Sequence, residues 1–217
     1  MGINTLERLQ LLEHWIYESD MKFENINMCE LGNQRIWKTL NISGIPLNNN
    51  AYLLKDYYEV LKKIKSHISI DFNGKDGALK LDLRKQIDVS DIGGPFDVVT
   101  NFGTTEHVED NQYQTFKNIH DLCKVGGIMY HVVPKENNWD GARAGLNHPH
   151  CPYYYTSEFF SELAESNGYE MVVNKVWNHD EAKPQRAREE CVCIFKKVNN
   201  NEFIKLDNFP ESMLRRI

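Results

Sequence analysis

No run in the 217-residue sequence approaches the ~20 consecutive apolar residues that a membrane span requires. The N-terminal stretch from Met1 to Glu18 carries Glu7, Arg8 and Glu13, so it lacks the uninterrupted apolar core of a signal peptide. These two absences predict a cytoplasmic protein without a membrane partner.

Cysteine is scarce, and its five residues include no C-x-x-C pair. Cys29, Cys191 and Cys193 sit in apolar runs, where cysteine behaves as a small hydrophobe, so we expect reduced thiols. The His148-Pro149-His150-Cys151 segment has groups that bind divalent ions. Because no second ligand group stands at a recognisable spacing, we predict no metal site.

The sequence also lacks an excess of basic charge. It has 25 Lys and Arg and 31 Asp and Glu residues, a net charge of -6. This charge argues against electrostatic binding of nucleic acid over an extended surface. The G-x-G-x-x-G fingerprint is absent, which counts against NAD and FAD. No repeat of about 20 to 50 residues appears, which excludes solenoids and propellers.

What the sequence does contain is an alternation of strand-like and helical segments. Helical spacing predicts helices over residues 4–18, 52–64 and 113–123, and a fourth that Thr156 caps and Asn167-Gly168 ends. Apolar runs predict strands over residues 26–31, 67–72, 78–83, 96–102, 128–133, 170–177 and 191–198. The alternation indicates one α/β domain over residues 1–217, with a mostly parallel sheet covered on both faces. Ligands of such sheets bind at the carboxyl ends of the strands.

Residues suited to nucleotide binding follow several of these strands. Glu30 and Gly32 end the first, where a glycine lets the backbone approach a ligand closely. Asp71 ends the second, either to accept the hydroxyls of a ribose or to start a turn at Asn73-Gly74. Asp82 ends the third, where a carboxylate can accept from the amino group of a base.

The most specific stretch is Phe96-Asp97-Val98-Val99-Thr100-Asn101-Phe102-Gly103-Thr104-Thr105-Glu106-His107-Val108, followed by Lys124-Val125-Gly126-Gly127. Over roughly residues 24–198 the chain resembles the class I S-adenosylmethionine-dependent methyltransferases, with their F-D-x-V-x-x-x-x-x-x-E-H-V stretch and K-x-G-G turn. The resemblance implies a single Rossmann-like three-layer domain with a seven-stranded sheet whose last strand is antiparallel. Residues 1–22 would be an extra helical extension and residues 199–217 a C-terminal tail.

The resemblance also implies roles around the cofactor, S-adenosylmethionine. Glu30 and Gly32 would face its methionine part, Asp71 its ribose, Asp82 and Leu83 its adenine, and Asn101 and Phe102 its sulfonium and methyl group.

The chain departs from the family where Gln34 and Ile36 replace the second and third glycines of the first motif. Gln34 either turns its amide toward the cofactor carboxylate or blunts the pocket. In the second case the chain would be a non-catalytic binding module. The long Asn-rich connection after the first strand would displace the usual first helix.

Histidines are the candidate bases for a methyl acceptor that must lose a proton. His107 would act as a base or shape the pocket at a helix start, His131 would be a core or a pocket-floor residue, and His148 lies in the irregular segment 135–155. Aromatic and histidine side chains there would bind a small polar acceptor such as a sugar or nucleotide-sugar: Trp139, His150, Tyr153 and Tyr155. The missing Asn/Asp-Pro-Pro-Tyr/Phe motif argues against nucleic acid as acceptor, and the oligomeric state is left open.

Overall fold

A computed structural model describes residues 2–3, 5–135, 151–178 and 189–216 of the chain. In these residues the strands are β1 (Gly2–Ile3), β2 (Asn27–Leu31), β3 (Arg35–Trp37), β4 (Ala51–Leu53), β5 (Ser66–Asp71), β6 (Leu79–Lys80), β7 (Phe96–Phe102), β8 (Cys123–Pro134), β9 (Tyr153–Tyr154), β10 (Glu170–Asn178), β11 (Glu189–Lys196) and β12 (Arg215–Arg216). The helices are α1 (Glu7–Glu18), α2 (Leu54–Asp56, continued by a π-helical turn Tyr57–Lys62), α3 (Gln112–Leu122) and α4 (Ser157–Asn167). None of the helices in these ranges is long and apolar enough to span a membrane.

The central sheet of the described residues has seven strands in the order β10-β11-β8-β7-β2-β5-β6. The pairs β2–β5, β2–β7, β5–β6 and β7–β8 are parallel, while β11 runs antiparallel to both β8 and β10. This confirms the predicted mostly parallel sheet with an antiparallel last strand. After β2 the chain continues to β5 on one side and later returns to β7 on the other, so the strand order reverses at β2.

Each face of the sheet is covered by its own apolar cluster, because successive strand side chains point to opposite faces. Val99 and Met129 belong to the cluster under α3 and α4, whereas Val98 and Tyr130 belong to the cluster under α1 and α2. All seven residues of β7 are buried, as expected for a strand covered on both faces. The molecule therefore has the three layers that the sequence predicts.

The region between β2 and β5 corrects one prediction. Residues 52–64 were expected to form one helix, but Ala51–Leu53 is a strand that pairs antiparallel with β3, and helical structure begins only at Leu54. Tyr52 lies opposite Ile36, so cross-strand pairing overrides the helical spacing at this point. The inserted β3–β4 hairpin displaces the first helix, as the long connection indicated.

Two other segments differ in length from the prediction. The expected strand over residues 78–83 is reduced to Leu79–Lys80 at the sheet edge, because Asp82 forms a turn with Arg84. In contrast, β8 begins at Cys123, five residues before the expected Ile128, and includes Gly126 and Gly127, which were predicted to form a turn. A register irregularity between Phe96 and Val98 lies beside this segment.

Candidate active site

A cavity of about 440 Å³ lies at the carboxyl ends of β2, β5, β6 and β7. The strand order reverses at β2, so the cavity lies beside the reversal. Its lining includes five of the predicted cofactor residues: Gly32, Gln34, Asp71, Asp82 and Leu83. The predicted base His107 also lines it. Parallel strands bring their carboxyl ends to one edge, so residues far apart in sequence share this cavity.

The side chains of Thr104 and Gln34 meet above Gly32, at the end of β2. Thr104 Oγ1 lies 2.7 Å from the Leu31 carbonyl oxygen, and Gln34 Nε2 lies 3.2 Å from Thr104 Oγ1. A Cβ on Gly32 would collide with Thr104 Oγ1 and stand 2.7 Å from Gln34 Nε2, and the backbone here has a φ of +73°. Only glycine has no Cβ to collide and also adopts this positive φ without strain, so both the close contacts and the backbone conformation require glycine at position 32.

Asp71 makes the turn interaction that was one of its two predicted alternatives. Its Oδ1 accepts a hydrogen bond from the Asn73 backbone amide at 2.9 Å, which is the turn interaction, and its Oδ2 accepts from the Asn33 amide at 3.1 Å. The carboxylate thereby ties the loop after β2 to the end of β5. Each oxygen retains acceptor capacity toward the cavity that Asp71 lines.

Asp82 is held by Arg84, a residue that the sequence analysis did not single out. Arg84 Nε donates to Asp82 Oδ1 and Arg84 Nη2 donates to Asp82 Oδ2, each across 2.9 Å, and hydrogen bonding from Arg84 lowers the pKa of Asp82. The guanidinium also stands 5.9 Å from the ring centroid of Phe72, an exposed aromatic residue on the cavity wall. Asp82 is therefore a charged group at neutral pH.

Three predicted cofactor residues lie behind the cavity wall instead of in it. Glu30 is buried and accepts hydrogen bonds from the Gln34 amide and from Ser69 Oγ, so it supports the turn from below. Asn101 Oδ1 accepts hydrogen bonds from the backbone amides of Thr104 and Thr105. The Phe102 ring packs edge-on against Tyr130, on the face of the sheet that α1 and α2 cover. The next residues along β7, Gly103 and Thr104, line the cavity in their place.

The structure places the predicted bases His107 and His131 in different environments. The His107 side chain is 42% exposed at the cavity, with its Nε2 3.6 Å from the buried Glu106 Oε1. His131 is buried among the rings of Phe116, Phe160 and Phe195, and burial lowers its pKa to about 3. Its placement is that of a core histidine, the first of the two alternatives.

The predicted acceptor-binding tyrosines are also core residues. Tyr153 and Tyr155 are 2% and 0% exposed, and neither lines the cavity. The Tyr155 hydroxyl lies 2.9 Å from Thr105 Oγ1 and donates to Gln112 Oε1 at 2.8 Å, so its polar end is used inside the protein. Both rings pack in the apolar core beside α4, where burial stabilises the fold, and so they are not exposed to a ligand.

Trp139, His148 and His150 lie outside the described residues. Within the part of the chain that the structure describes, no group of three His, Cys, Asp or Glu side chains is arranged to hold a metal ion.

Helix α3 supports the cavity with residues that sequence reasoning missed. Asn118 Nδ2 donates to the carbonyls of Leu83 and Lys85 at 2.9 and 2.8 Å, and Asn111 Nδ2 donates to the Arg84 carbonyl at 2.9 Å. The one sequence signal was an asparagine within an apolar helical face, which indicates a buried polar contact. The turn carrying Asp82 and Leu83 is therefore fixed to the helix.

Comparison with known proteins identifies related families and folds. A family model described as a methyltransferase domain matches residues 43–174, more than half of the chain. A comparison with curated proteins gives no match. The chain is similar in structure to the Burkholderia thailandensis 1,6-didemethyltoxoflavin-N1-methyltransferase, solved with 1,6-didemethyltoxoflavin and S-adenosylhomocysteine (11% identity, TM-score 0.54, covering 89% of this chain and 77% of that one). It is also similar to the methyltransferase domain of bacterial CtHen1 (12% identity, TM-score 0.50, covering 88% and 98%). At such identities the two structures show the fold.

Proposed function

The chain belongs to the methyltransferase domain family, and we propose that it transfers the methyl group of S-adenosylmethionine to a small polar acceptor, of which a sugar or nucleotide-sugar is an example. It is an S-adenosylmethionine-dependent methyltransferase with the Rossmann-like fold of class I. The observation that carries the proposal is the cavity in which Gly32, Asp71, Asp82 and Leu83 come together at the reversal of the strand order.

The chemistry of the cavity fits the cofactor. Asp71, Asp82 and Glu109 line it against a single arginine, Arg84, whose charge is already paired with Asp82. Such an acidic lining favours a ligand that carries positive charge. Asp71 has acceptor capacity for ribose hydroxyls, and the exposed Phe72 ring offers a flat apolar surface for a base.

When bound, the cofactor supplies an electrophilic methyl group on a positively charged sulfur. The protein's own part is then to hold the two reactants in line and, for an acceptor that must lose a proton, to receive it. Among the predicted bases, His107 is the one that we propose for this role, since it lines the cavity and is partly exposed. We propose Trp139 and His150 for the acceptor side, and His148 stays a predicted base.

The free state of all five cysteines supports the proposal of a cytoplasmic location. The net charge of -6 favours a small-molecule acceptor over nucleic acid.

Calorimetric titration with S-adenosylhomocysteine tests the proposal directly. We expect micromolar binding to the wild-type chain, and at least about tenfold weaker binding to Asp71→Ala, because the ribose hydroxyls lose their acceptor. Asp91→Ala, an exposed acid outside the cavity lining, is the matched control and should bind as the wild type does.

Failure of the wild-type chain to bind S-adenosylhomocysteine would contradict the proposal. Equal affinity of wild type and a folded Asp71→Ala variant would contradict the role of Asp71 alone.

A further inference from the structure

The carboxylate of Asp76 joins three separate segments of the chain. It pairs with the guanidinium of Arg35, the first residue of β3, and lies 3.3 Å from Asn33 Nδ2 and 3.4 Å from Asn48 Nδ2. Asn33 follows β2, Asn48 precedes β4, and Asp76 itself belongs to the loop after β5. One side chain thus fastens the turn after β2 and the inserted β3–β4 hairpin to the loop after β5.

The backbone of Asp76 is also held in an uncommon conformation. Its φ of +52° and ψ of +32° lie in the left-handed region, which residues with a Cβ seldom occupy, although aspartate tolerates it better than most. Such a conformation persists where the surrounding contacts determine it, and it is concentrated at functional sites. At Asp76 those contacts are the three side chains that donate to the carboxylate, so the carboxylate has one defined position.

Asn33 connects this carboxylate to the cavity. Its Nδ2 donates to Asp76 and also to the Lys75 carbonyl at 3.0 Å, so both hydrogens of the side-chain amide are used. Its backbone amide donates to Asp71 Oδ2 at 3.1 Å. Asn33 and Asp71 line the cavity, whereas Asp76 is not among its lining residues. Asp76 therefore acts on a ligand in the cavity through these two neighbours.

We propose that Asp76, paired with Arg35, is a positioning residue for the ribose of the cofactor. It acts through Asn33 on the Asp71 carboxylate, and the inference rests on the proposed function, in which Asp71 accepts the ribose hydroxyls. Two backbone amides hold that carboxylate. The Asn73 amide belongs to its own turn, whereas the Asn33 amide comes from the neighbouring loop and depends on Asp76 for its place. With both amides in position, the free acceptor capacity of the two oxygens is aligned in advance for two adjacent hydroxyls.

The exposure of the Arg35–Asp76 pair separates this role from a contribution to stability alone. The two side chains are 35% and 18% exposed, and ion pairs that water reaches stabilise a fold weakly. The orientation of a binding group is more sensitive, because binding requires a defined geometry that the supporting residues must maintain. We therefore expect the loss of Asp76 to lower ligand affinity while the denaturation midpoint stays near that of the wild type.

Calorimetry with two ligands tests the proposal. They are S-adenosylhomocysteine and its 2′,3′-dideoxy analogue, which lacks both ribose hydroxyls. Asp76→Asn tolerates the same backbone conformation but removes the charge and replaces one acceptor by a donor. We expect it to bind S-adenosylhomocysteine about fivefold more weakly and to bind the dideoxy analogue within about twofold of wild type.

A double-mutant cycle with Asp71→Ala shows whether the effect passes through Asp71. In the Asp71→Ala background the acceptor for the hydroxyls is absent, so adding Asp76→Asn should change the affinity for S-adenosylhomocysteine by less than about twofold. Full additivity of the two substitutions would mean that Asp76 acts on the ligand by another route, and would overturn the inference.

Variants of Arg35 give a second measurement if Asp76→Asn does not fold. Arg35→Lys keeps a cation for Asp76 and should bind both ligands within about twofold of wild type, whereas Arg35→Met removes the cation and should reproduce the selective loss. Glu59→Gln, which breaks another partly exposed ion pair, with Lys55, away from the cavity lining, is the control. It should bind both ligands as the wild type does.

Equal weakening of both ligands by Asp76→Asn would mean that Asp76 supports the loops without orienting Asp71, and would overturn the inference. Unchanged affinity of this variant for S-adenosylhomocysteine would overturn it as well. Absence of binding of S-adenosylhomocysteine to the wild-type chain would instead contradict the proposed function, so the two failures are distinguishable.

Discussion

Glu106 places a carboxyl group in the protein interior beside the cavity. The residue is 0% exposed, and neither carboxyl oxygen has a hydrogen-bond partner among the described residues. Burial raises the pKa of Glu106 to about 8, because the charged form loses its hydration. At neutral pH the folded state therefore holds a proton here that the unfolded state releases.

This linkage gives a prediction for stability. The contribution of Glu106 is fully present below its ordinary pKa of 4.5 and is lost as pH rises toward about 8. We expect the free energy of unfolding of Glu106→Gln not to decline in this way. The difference in free energy of unfolding between variant and wild type should therefore shift by a few kcal/mol in favour of the variant between pH 4.5 and about 8. Urea titrations between pH 5 and 8 measure this difference.

Glu109→Gln provides the comparison for Glu106, since Glu109 is exposed nearby in the same loop. Its free energy of unfolding should follow the wild type at every pH. Parallel curves for wild type and Glu106→Gln would show that Glu106 does not carry the pH dependence.

At the scale of elements, α3 and the turn at Leu83 to Lys85 form one unit. The Asn118 side chain is 1% exposed and makes four hydrogen bonds: it donates to the carbonyls of Leu83 and Lys85, and accepts from the Ile87 amide and from Gln114 Nε2. The helix thus controls the position of Leu83 and its neighbour Asp82, the two residues predicted to hold adenine.

Asn118→Ala should lower the free energy of unfolding by about 2–4 kcal/mol, because two carbonyls and an amide lose their partner. The variant should also bind S-adenosylhomocysteine more weakly, because the turn at Leu83 to Lys85 is no longer fixed. Lys117→Ala, which removes a partly exposed ion pair with Asp121 on the same helix, should cost less than about 1 kcal/mol and leave affinity unchanged. Denaturant titration and calorimetry measure both effects, and equal behaviour of the two variants would contradict the assignment.

The elements also show what the sequence could predict. Phe96–Phe102 was predicted to the residue, because a strand covered on both faces reads as one apolar run bounded by turn residues. Ala51–Leu53 was missed, since Tyr52 and Leu54 fit helical spacing equally well and a three-residue strand leaves no alternation to detect. The places of Asp71, at the end of β5, and of Asp82, two residues after β6, follow from the topology of the sheet.

Contacts between distant segments did not follow from the sequence. The Gln34–Thr104 hydrogen bond joins residues 70 positions apart, and the Asn118–Leu83 bond joins residues 35 positions apart. The asparagine in the apolar face of α3 indicates a buried polar contact, but no local pattern identifies the partner in either case. Asn101 and Phe102 lie behind the cavity wall because Asn101 caps the following turn and Phe102 points to the other face of the sheet.

On the scale of the whole molecule, the segment expected to be an N-terminal extension is part of the core. Leu9, Leu12 and Ile16 of α1 are at most 1% exposed and share one cluster with Met28 and Val98 of the central sheet. The buried ion pair between Arg8 and Glu190 joins α1 to β11. The described part of the expected C-terminal tail, residues 199–216, is similarly integrated through Phe203 and Phe209, whose rings meet Tyr113 of α3.

Leu12→Ala should therefore destabilise the whole domain by about 2–5 kcal/mol, as expected for a cavity in a shared core. Unfolding should remain a single transition by circular dichroism and by tryptophan fluorescence. Tyr17→Ala, at a 76% exposed position of the same helix, is the control and should change little. Separate unfolding of α1, seen as two transitions, would contradict this account.

The burial of every cysteine has a practical consequence. Burial raises the pKa of Cys123, Cys151 and Cys191 to about 12 and also raises the pKa of Cys29 and Cys193, so none presents a thiolate to reagents near neutral pH. A single thiol introduced at the cavity rim by Glu109→Cys would then be the site of maleimide attachment. A fluorophore placed there converts ligand entry into an optical signal, with all five native cysteines retained.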